Sequence, residues 1–351
     1  MRIETIRQRL REHGAKPGHE HRVLRLWACA LAQGSGKRKP EDFLPLSVRA
    51  MLPALVDELS ALARLRSEHP AADGSSRLLV ELADGQAVES VLLPRGGLCV
   101  STQLGCAVGC VFCMTGRDGL LRQLGSAEIV AQVVLARRQR AVRKVVFMGM
   151  GEPAHNLANV IEAIELLGTA GGIGHKNLVF STVGDLRVFE QLPRMQVRPA
   201  LALSLHSTRA EVRARLLPRA PRLLPAELVA HGERYARATG YPIQYQWTLL
   251  AGVNDGDDEL DGIVELLRGK YALLNLIPYN TVEGLGFERP PRARAEAIAR
   301  TLLRRGVLTK LRWSAGQDVD AGCGQLRART LAPPAQVVTL HRGAAAAHGL
   351  A

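Results

Sequence analysis

The sequence predicts an α/β fold in which six β/α units form a partial barrel that is open on one side. From residue 98 onward, continuous apolar runs alternate with amphipathic helices, which is typical of a parallel sheet covered on both faces. Ahead of them, the stretch 77–94 carries Asp84-Gly85 between two β-rich runs, which is the pattern of a β-hairpin. Helical patterns come first in the chain, so a small helical domain and a hairpin extension are expected before the barrel.

The amino-terminal region is predicted to consist of helices joined by a basic, glycine-rich break at Gly34–Pro40. The expected helices are Glu4–His13, His21–Gln33 and Ser47–Arg66. Up to residue 75 the chain holds 13 Lys and Arg against 9 Asp and Glu, which is a mildly basic balance. Two interpretations stay open here: an accessory domain that binds substrate, or a helical brace for the barrel.

The barrel core is expected at 98–328, after the helical domain (1–75) and a hairpin linker (76–97), and before an Ala-rich tail (329–351). Its strands are predicted at Leu98–Thr102, Val145–Gly149, Asn177–Ser181, Ala200–Leu205, Ile243–Leu249 and Leu273–Pro278, with a further strand at Thr309–Ser314. The helices are predicted at Ser126–Arg140, Leu157–Thr169, Pro225–Thr239, Asp257–Arg268 and Arg292–Arg305. Ligands in such folds bind at the carboxyl ends of the strands.

Three cysteines follow the first barrel strand in the run CAVGCVFC, at Cys106, Cys110 and Cys113. Electron-carrying [4Fe–4S] clusters use four thiolates, whereas three leave the fourth iron open to a ligand. This spacing, with Phe112 before the last cysteine, resembles the radical S-adenosylmethionine (SAM) superfamily, where the amino and carboxylate groups of SAM bind the open iron. The alternative is a zinc site, but zinc usually takes four ligands, and no second cysteine or histidine pair follows.

Small and polar residues follow the other predicted strands. Gly151 and Glu152 lie in MGMGEP, which resembles the superfamily's glycine-rich segment that holds the amino group of SAM. The resemblance also implies SAM contacts from further strand ends, at Ser181, Ser204, Leu205, His206 and Asn280. Taken one by one, the same residues are also ordinary turn and cap residues.

Two more cysteines narrow the resemblance to one family. Cys99 precedes the cluster motif by seven residues, and Cys323 lies far downstream. With them the chain resembles the RlmN/Cfr-type radical SAM RNA methyltransferases over roughly Val88 to Leu326. The segments that carry the resemblance are VESVLLP, LCVSTQLGCAVGCVFCMTG, GEPAHN, STVG, ALSLH, GVND, NLIPYN and DVDAGCGQL, in that order. The alternative for Cys99 and Cys323 is a pair of buried apolar thiols, the common fate of free cysteine.

The family's chemistry implies a role for each of these thiols. Adenine ring carbons are not nucleophilic, so ordinary alkylation by SAM cannot methylate them. The resemblance implies two SAM molecules per turnover: one methylates Cys323, and the other yields a 5′-deoxyadenosyl radical that activates this methyl group. The methyl carbon then adds to adenine, and Cys99 releases the product by forming a transient disulfide with Cys323. Glu89, in VESVLLP, matches the family's proton acceptor, although an outward-facing strand carboxylate is the commoner fate of Glu.

The chain departs from the family pattern at two positions that bear on its target. Gln123 stands where relatives tend to have asparagine, and Gln317 replaces the first of two usual aspartates. Family members act on an adenosine of 23S rRNA, and some also on tRNA, at carbon 2 or carbon 8. We expect carbon 2 rather than carbon 8, in 23S rRNA, tRNA or both. The departures leave the identity of the RNA open.

The charge is consistent with an RNA partner. The net charge is +13 and the pI about 10, although an arginine-rich surface that is merely solvated would show the same. Two basic runs could contact phosphates. They consist of Arg137, Arg138, Arg140, Arg143 and Lys144, and of Arg289, Arg292, Arg294, Arg300, Arg304 and Arg305. The helical region 1–75 is a further candidate for RNA binding.

The remaining expectations concern partners and location. Six cysteines without a secretory start, and no apolar run long enough for a membrane span, predict a cytoplasmic protein with no membrane partner. The resemblance implies an external electron donor such as flavodoxin or ferredoxin, and a monomer. Two other classes stay open: a radical SAM enzyme that modifies a non-RNA substrate, and a non-catalytic iron–sulfur protein that binds RNA.

Overall fold

A computed structural model of the chain describes residues 1–37, 39–282 and 284–328, so the tail predicted at 329–351 lies outside the described residues. The strands are β1 (Ala63–Pro70), β2 (Ser76–Leu82), β3 (Ala87–Leu93), β4 (Gly97–Val100), β5 (Gln103–Gly105), β6 (Leu120–Gln123), β7 (Lys144–Phe147), β8 (Leu178–Thr182), β9 (Ala200–Ser204), β10 (Ile243–Leu249), β11 (Ala272–Pro278) and β12 (Thr309–Leu311). The helices are α1 (Ile3–Glu12), α2 (Pro17–Ala28), α3 (Pro40–Phe43), α4 (Leu46–Ala61), α5 (Ser126–Gln139), α6 (Leu157–Gly168), α7 (Leu186–Gln191), α8 (Ala210–Leu216), α9 (Pro225–Thr239), α10 (Asp257–Leu267) and α11 (Arg292–Arg304).

One large sheet combines an antiparallel part with a parallel barrel part. Its strand order is β1-β2-β3-β4-β7-β8-β9-β10-β11-β12, and β5 pairs separately with β6. β1 to β4 pair antiparallel, whereas β4 and β7 to β12 all run parallel. The predicted hairpin is therefore β2 and β3, and the predicted α/β fold with a parallel sheet is confirmed. Within the described residues β1 and β12 are the two edges of the sheet, and no strand pairing closes it into a barrel.

The predicted helix Ser47–Arg66 is wrong at its end. α4 stops at Ala61, and β1 begins at Ala63 inside the range predicted as helix. β1 pairs with β2 from Ala63 opposite Leu82 to Pro70 opposite Ser76. Arg, Leu and Glu favour a helix locally, but pairing with β2 supplies backbone hydrogen bonds that local propensity cannot anticipate.

The predicted helix His21–Gln33 is shifted toward the amino terminus. α2 begins at Pro17, where the missing N–H of proline costs nothing because the first helical N–H groups have no partner within the helix. It ends at Ala28, just before Ala30 takes a positive φ of 55° and turns the chain away. The other predicted helices and strands agree with the structure to within two residues at their ends, except that β12 ends at Leu311, three residues before the predicted Ser314.

The amino-terminal helices pack on the outside of the barrel. α1 and α2 contact α5 and α6. Ile6, Leu10 and Leu24 are buried in the same apolar core as the barrel helices. The backbone N–H of Ile3 donates to Ser126 Oγ at 2.8 Å, at the start of α5. These contacts brace the first barrel helices, while substrate binding by this region stays a prediction.

The barrel strands are buried on both faces, as parallel strands between helices must be. Every residue of β8 is buried, and so are the first four residues of β9. Since the strands run parallel, their carboxyl ends meet at one edge of the sheet, where the loops after β4, β7, β8 and β9 come together. Among the described residues, no helix has the length and apolar character needed to cross a membrane.

Candidate active site

The three motif cysteines lie in a tight loop between β5 and β6. The N–H of Cys113 donates to the carbonyl of Cys110 at 3.0 Å, and the N–H of Cys106 donates to that of Gly119 at 2.8 Å. A side chain at Gly116 would have its Cβ 2.8 Å from the Cα of Gly109, so the loop needs glycine there. All three cysteines line one cavity of about 700 Å³ at the carboxyl ends of the barrel strands.

The thiols of this loop are buried in the fold, which raises their pKa. Burial raises the pKa of Cys106 to about 12, and the pKa of Cys110 is raised by burial and by Cys113 and Cys106. Such thiols ionise when a metal cation takes the place of their protons. In the described part of the chain, no group of three or more His, Cys, Asp or Glu is arranged to hold one metal ion. The thiolates of a [4Fe–4S] cluster bind separate irons, so a cluster does not need three ligands arranged around one ion.

The cavity beside the cysteine loop is shaped for close approach of a ligand. Gly151 has a φ of +107°, and a Cβ there would lie 2.6 Å from the Cβ of Gln103. Gln246, also in the cavity wall, has a buried Oε1 with no hydrogen-bond partner within the described residues. A bare glycine backbone and an unpartnered amide oxygen fit a polar molecule of the size of SAM.

Glu152 lies at the end of β7 with its carboxylate inside the fold. One oxygen accepts from the N–H of Ala154 and the other from the N–H of Val183, both at 3.1 Å. Burial raises the pKa of Glu152 to about 7, although these hydrogen bonds oppose the rise. The side chain lines the cavity, so it can accept a hydrogen bond from an amino group of a ligand.

His206, at the end of β9, is held in one tautomer. Its Nδ1 accepts from the N–H of Thr248 at 3.0 Å, so in the neutral ring Nε2 carries the proton. Burial, with the nearby charge of Arg213, lowers the pKa of His206 to about 3. Its backbone has a positive φ of 59°, which is rare for a residue with a side chain. The neutral imidazole therefore offers an N–H donor at the cavity wall, where Ser181 and Ser204 also lie.

Two of the predicted cofactor residues lie elsewhere. Leu205 is fully buried in the core. Asn280 donates through Nδ2 to the carbonyl of Cys323 at 3.0 Å and to Ser314 Oγ at 2.8 Å, so it holds the Cys323 loop. Neither residue belongs to the cavity wall. Sequence reasoning instead missed Gln244, Gln246 and Thr248, whose alternation along β10 puts all three on the cavity side.

Cys99 and Cys323 share the cavity with the cluster cysteines. Cys99 lies on β4 and is half-buried, while Cys323 is exposed. Burial, and to a smaller extent the neighbouring Cys323, raises the pKa of Cys99 to about 12. Cys323 also contributes to the raised pKa of Cys113, after burial. The shared cavity wall thus brings Cys323 together with the β4 thiol and the cluster loop.

The chain around Cys323, residues 314–328, crosses from the last barrel strand back to the hairpin; we call it the Cys323 segment. On the barrel side, the N–H of Met114 donates to the carbonyl of Gly324 and Thr115 Oγ1 to that of Leu326, both at 2.8 Å. On the hairpin side, the N–H of Gly316 donates to Asp73 Oδ2 at 3.1 Å. The segment therefore closes one side of the cavity.

Glu89 points into the protein, so the outward-facing alternative is wrong. It is fully buried on β3 and forms an ion pair with the equally buried Arg77. Its Oε2 accepts from the N–H groups of Arg327 and Ala328, at 2.6 and 2.9 Å. Burial raises its pKa, which these partners oppose. Glu89 is not part of the cavity wall, and in this conformation it ties the Cys323 segment to the hairpin.

The two basic runs are partly used by the fold itself. Arg137 donates to the carbonyl oxygens of Ala28 and Gly171, at 2.6 and 2.8 Å. In the second run, ion pairs join Arg292 to Glu296, Arg294 to Asp257 and Arg305 to Asp261. In both runs, some of the arginine side chains are thus bound to other groups of the protein.

We expect Glu152→Gln to weaken SAM binding by about tenfold to a hundredfold, because an acceptor with full negative charge is replaced by a neutral amide. The raised pKa gives the sign of a pH effect: Glu152 is protonated below about pH 7 and ionised above it. Wild-type affinity for SAM should therefore rise between pH 6 and 8, while that of Glu152→Gln stays flat. Anaerobic calorimetry would measure both, with Glu162→Gln as a control outside the cavity. Equal pH profiles for wild type and Glu152→Gln would contradict the assignment.

Comparison with known proteins agrees with this geometry. A family model described as the radical SAM superfamily matches residues 100–267. A protein from Methylibium petroleiphilum named a probable RNA methyltransferase is 76% identical over 331 residues, which cover 94% of each chain. One of the same name from Leptothrix cholodnii is 72% identical over 340 residues, covering 97% of this chain and 98% of the relative.

A solved structure shares the whole fold. It is a radical SAM methyltransferase from Sphaerobacter thermophilus, with a TM-score of 0.80 and 33% identity over 94% of this chain and 98% of that one. The cofactors of this superfamily are a [4Fe–4S] cluster and SAM, and the cysteine loop and cavity described above fit both. The chain is therefore a radical SAM methyltransferase and belongs to the family whose members from Methylibium and Leptothrix are named probable RNA methyltransferases.

Proposed function

We propose that the protein methylates a ring carbon of an adenosine in RNA, carbon 2 rather than carbon 8, with 23S rRNA, tRNA or both as substrate. The observation that carries the proposal is the common cavity of Cys99, Cys323 and the three cluster cysteines. A methyl carrier and a resolving thiol would have to lie together beside the cluster, and this arrangement meets that need. The names of the relatives support RNA as the substrate class.

When bound, the cluster and SAM supply the methyl group and the one-electron chemistry. Cys323 first takes the methyl group and loses its thiol proton. Once the one-electron chemistry has removed one hydrogen atom from this methyl group, its carbon bonds to the adenine ring. Cys99 then forms an S–S bond with the Cys323 sulfur while the sulfur–carbon bond breaks. The Cys99 thiol and the ring carbon each lose one proton; one proton completes the product methyl group, and the other leaves together with one electron. The electron passes to a one-electron carrier of the flavodoxin or ferredoxin class, which also supplies the electron that starts the cycle.

The disulfide must then be reduced by two electrons from a thiol reductant. The exposed position of Cys323 leaves its sulfur open to such a reagent. Glu89 is the proposed acceptor of the ring proton. Since its Oε2 holds the N–H groups of Arg327 and Ala328, it can serve as a base only after the Cys323 segment moves and frees it.

The proposal is tested by mass spectrometry of nucleosides from the rRNA and tRNA of a deletion strain. One methyladenosine should disappear, and its retention time against 2-methyl and 8-methyl standards identifies the carbon. A plasmid carrying the wild-type gene should restore it, while a matched plasmid with Cys323→Ala should not. A deletion strain with an unchanged set of methylated adenosines would refute the function in RNA.

A further inference from the structure

Three cations line one part of the cavity wall. They are Arg95, just before β4, Lys144, the first residue of β7, and Arg312, just after β12. Within residues 1–37, 39–282 and 284–328, none of the three side chains forms a salt bridge or hydrogen bond. Asp73 lines the same wall, but its carboxylate accepts hydrogen bonds from Ser75 and Gly316. We call Arg95, Lys144 and Arg312 the cationic mouth.

These cations come from distant strands but line one cavity. The charges of Arg312 and Lys310, after burial, lower the pKa of Lys144. Arg312 also affects the pKa of Cys99, which it lowers. Arg312 follows the last strand of the sheet and Lys144 begins β7, so the curl of the sheet brings the two to the wall of one cavity. Like charges held together are unfavourable in the free protein, and a bound anion relieves this repulsion.

An exposed tryptophan stands beside the cationic mouth. Trp313 is 41% exposed and forms part of the cavity wall. The guanidinium groups of Arg289 and Arg292 lie 5.9 and 5.7 Å from the centre of its ring. Arg289 is fixed there by hydrogen bonds to the carbonyl of Tyr279 and to Gln317 Oε1. Aromatic rings next to cations are how proteins hold single-stranded nucleic acid, with bases stacked on the ring and phosphates near the charges.

The position of the cationic mouth matches a nucleotide whose base reaches the two thiols. Cys99 pairs in register with Val146, which is two residues beyond Lys144 on β7. This separation corresponds to roughly 7 Å along a strand. A base held between Cys99 and Cys323 thus has its own phosphate near Lys144 and Arg312. Such a base must be unstacked from its neighbours, which costs stacking free energy. A second stacking surface on the protein offsets this cost.

We infer that the cationic mouth binds the RNA phosphates that flank the target nucleotide, and that Trp313 stacks on a neighbouring base. This inference rests on the proposed function in RNA. It assigns strand binding to the cavity entrance, and it requires no contribution from the amino-terminal helices. The contacts to phosphate fix the position of the strand, while they read no sequence.

The test measures RNA binding by cluster-loaded protein, using a fluorescein-labelled 12-nucleotide oligoadenylate in an anaerobic anisotropy titration at several salt concentrations. Arg95→Ala/Lys144→Ala should weaken binding about tenfold and lower the salt slope by about 1.4, the value for two lost single-strand phosphate contacts. The matched control is Arg138→Ala/Arg304→Ala, which removes the same charge from exposed positions outside the cavity. An equal loss of affinity for the oligoadenylate in the two double variants would overturn the inference.

Trp313 is tested separately, because its contribution is stacking and not charge. Trp313→Ala should bind the oligoadenylate about tenfold more weakly at unchanged salt slope, while Trp313→Phe should keep most of the affinity. The iron content and the visible absorbance of the cluster should be normal in all these variants, which shows that the fold and the cluster are intact. Trp313→Ala with wild-type affinity would remove the stacking role.

Failure of the cationic-mouth inference can be distinguished from failure of the proposed function in RNA. If wild-type protein methylates RNA from the deletion strain while the cationic-mouth variants bind like wild type, the mouth assignment is wrong and the function stands. If wild-type protein neither binds the oligoadenylate nor methylates that RNA, the proposed function itself fails.

Discussion

Replacing any one of Cys106, Cys110 or Cys113 by alanine is expected to abolish the iron–sulfur cluster and all SAM cleavage. The cluster has only three protein thiolates in this motif, so one loss leaves two, which is too few to retain it. Reconstituted wild type should show the broad visible absorbance of a [4Fe–4S] cluster and about four irons per chain. Each variant should show neither, and anaerobic incubation with SAM and dithionite should yield no 5′-deoxyadenosine.

The control for these variants is Cys29→Ala. Cys29 directly follows α2 on the outside of the barrel. Its sulfur lies 3.7 Å from the carbonyl oxygen of Ala170. Its loss should leave iron content and SAM cleavage unchanged. Wild-type protein that binds one tight zinc instead of iron, or a Cys110→Ala variant with full iron content, would contradict the assignment. Peptide mass spectrometry adds a second readout, since Cys323 should be methylated in wild type and unmodified in Cys106→Ala.

The sequence allowed most of the barrel to be predicted, because parallel strands between helices are continuous apolar runs of limited length. β8 and β9, for example, are almost entirely buried and differ from the predicted ranges by one residue at either end. β1 could not be predicted, since Ala63–Pro70 has no strong strand pattern and is held by pairing with β2. Such pairing is a tertiary property, and single-sequence patterns do not contain it.

The candidate site could likewise be predicted only in part. The cysteine loop and Glu152 come from contiguous motifs, and the structure brings them together with Cys99 and Cys323 around one cavity. The contacts of Asn280 with the Cys323 segment and the buried pair of Glu89 with Arg77 join residues far apart in the chain. They could not be anticipated from motif spacing. The roles of the individual site residues stay predictions.

A Cys99→Ala enzyme is expected to become trapped on its RNA substrate. If Cys99 only resolves the adduct, the variant still carries the methylated Cys323 sulfur, still cleaves SAM and still joins the methyl carbon to the ring. It lacks the sulfur that would break the Cys323 sulfur–carbon bond. RNA should therefore stay covalently attached through Cys323, and a denaturing gel should show a shifted band that nuclease removes. Turnover should fall by at least about a thousandfold, since each chain reacts once.

Cys323→Ala is the matched variant, because it removes the other thiol of the same cavity with the opposite expected result. Without the bridging sulfur no adduct can form, so the gel should show free protein only, although methylation also stops. The double variant Cys99→Ala/Cys323→Ala should behave like Cys323→Ala, because resolution comes after attachment. Since Cys99 is half-buried on β4 and Cys323 is exposed on its segment, alanine at either position leaves the fold intact enough to load the cluster. A Cys99→Ala enzyme that turns over repeatedly and releases methylated RNA near the wild-type rate would make Cys99 an ordinary core thiol, and the disulfide step would then have to be abandoned.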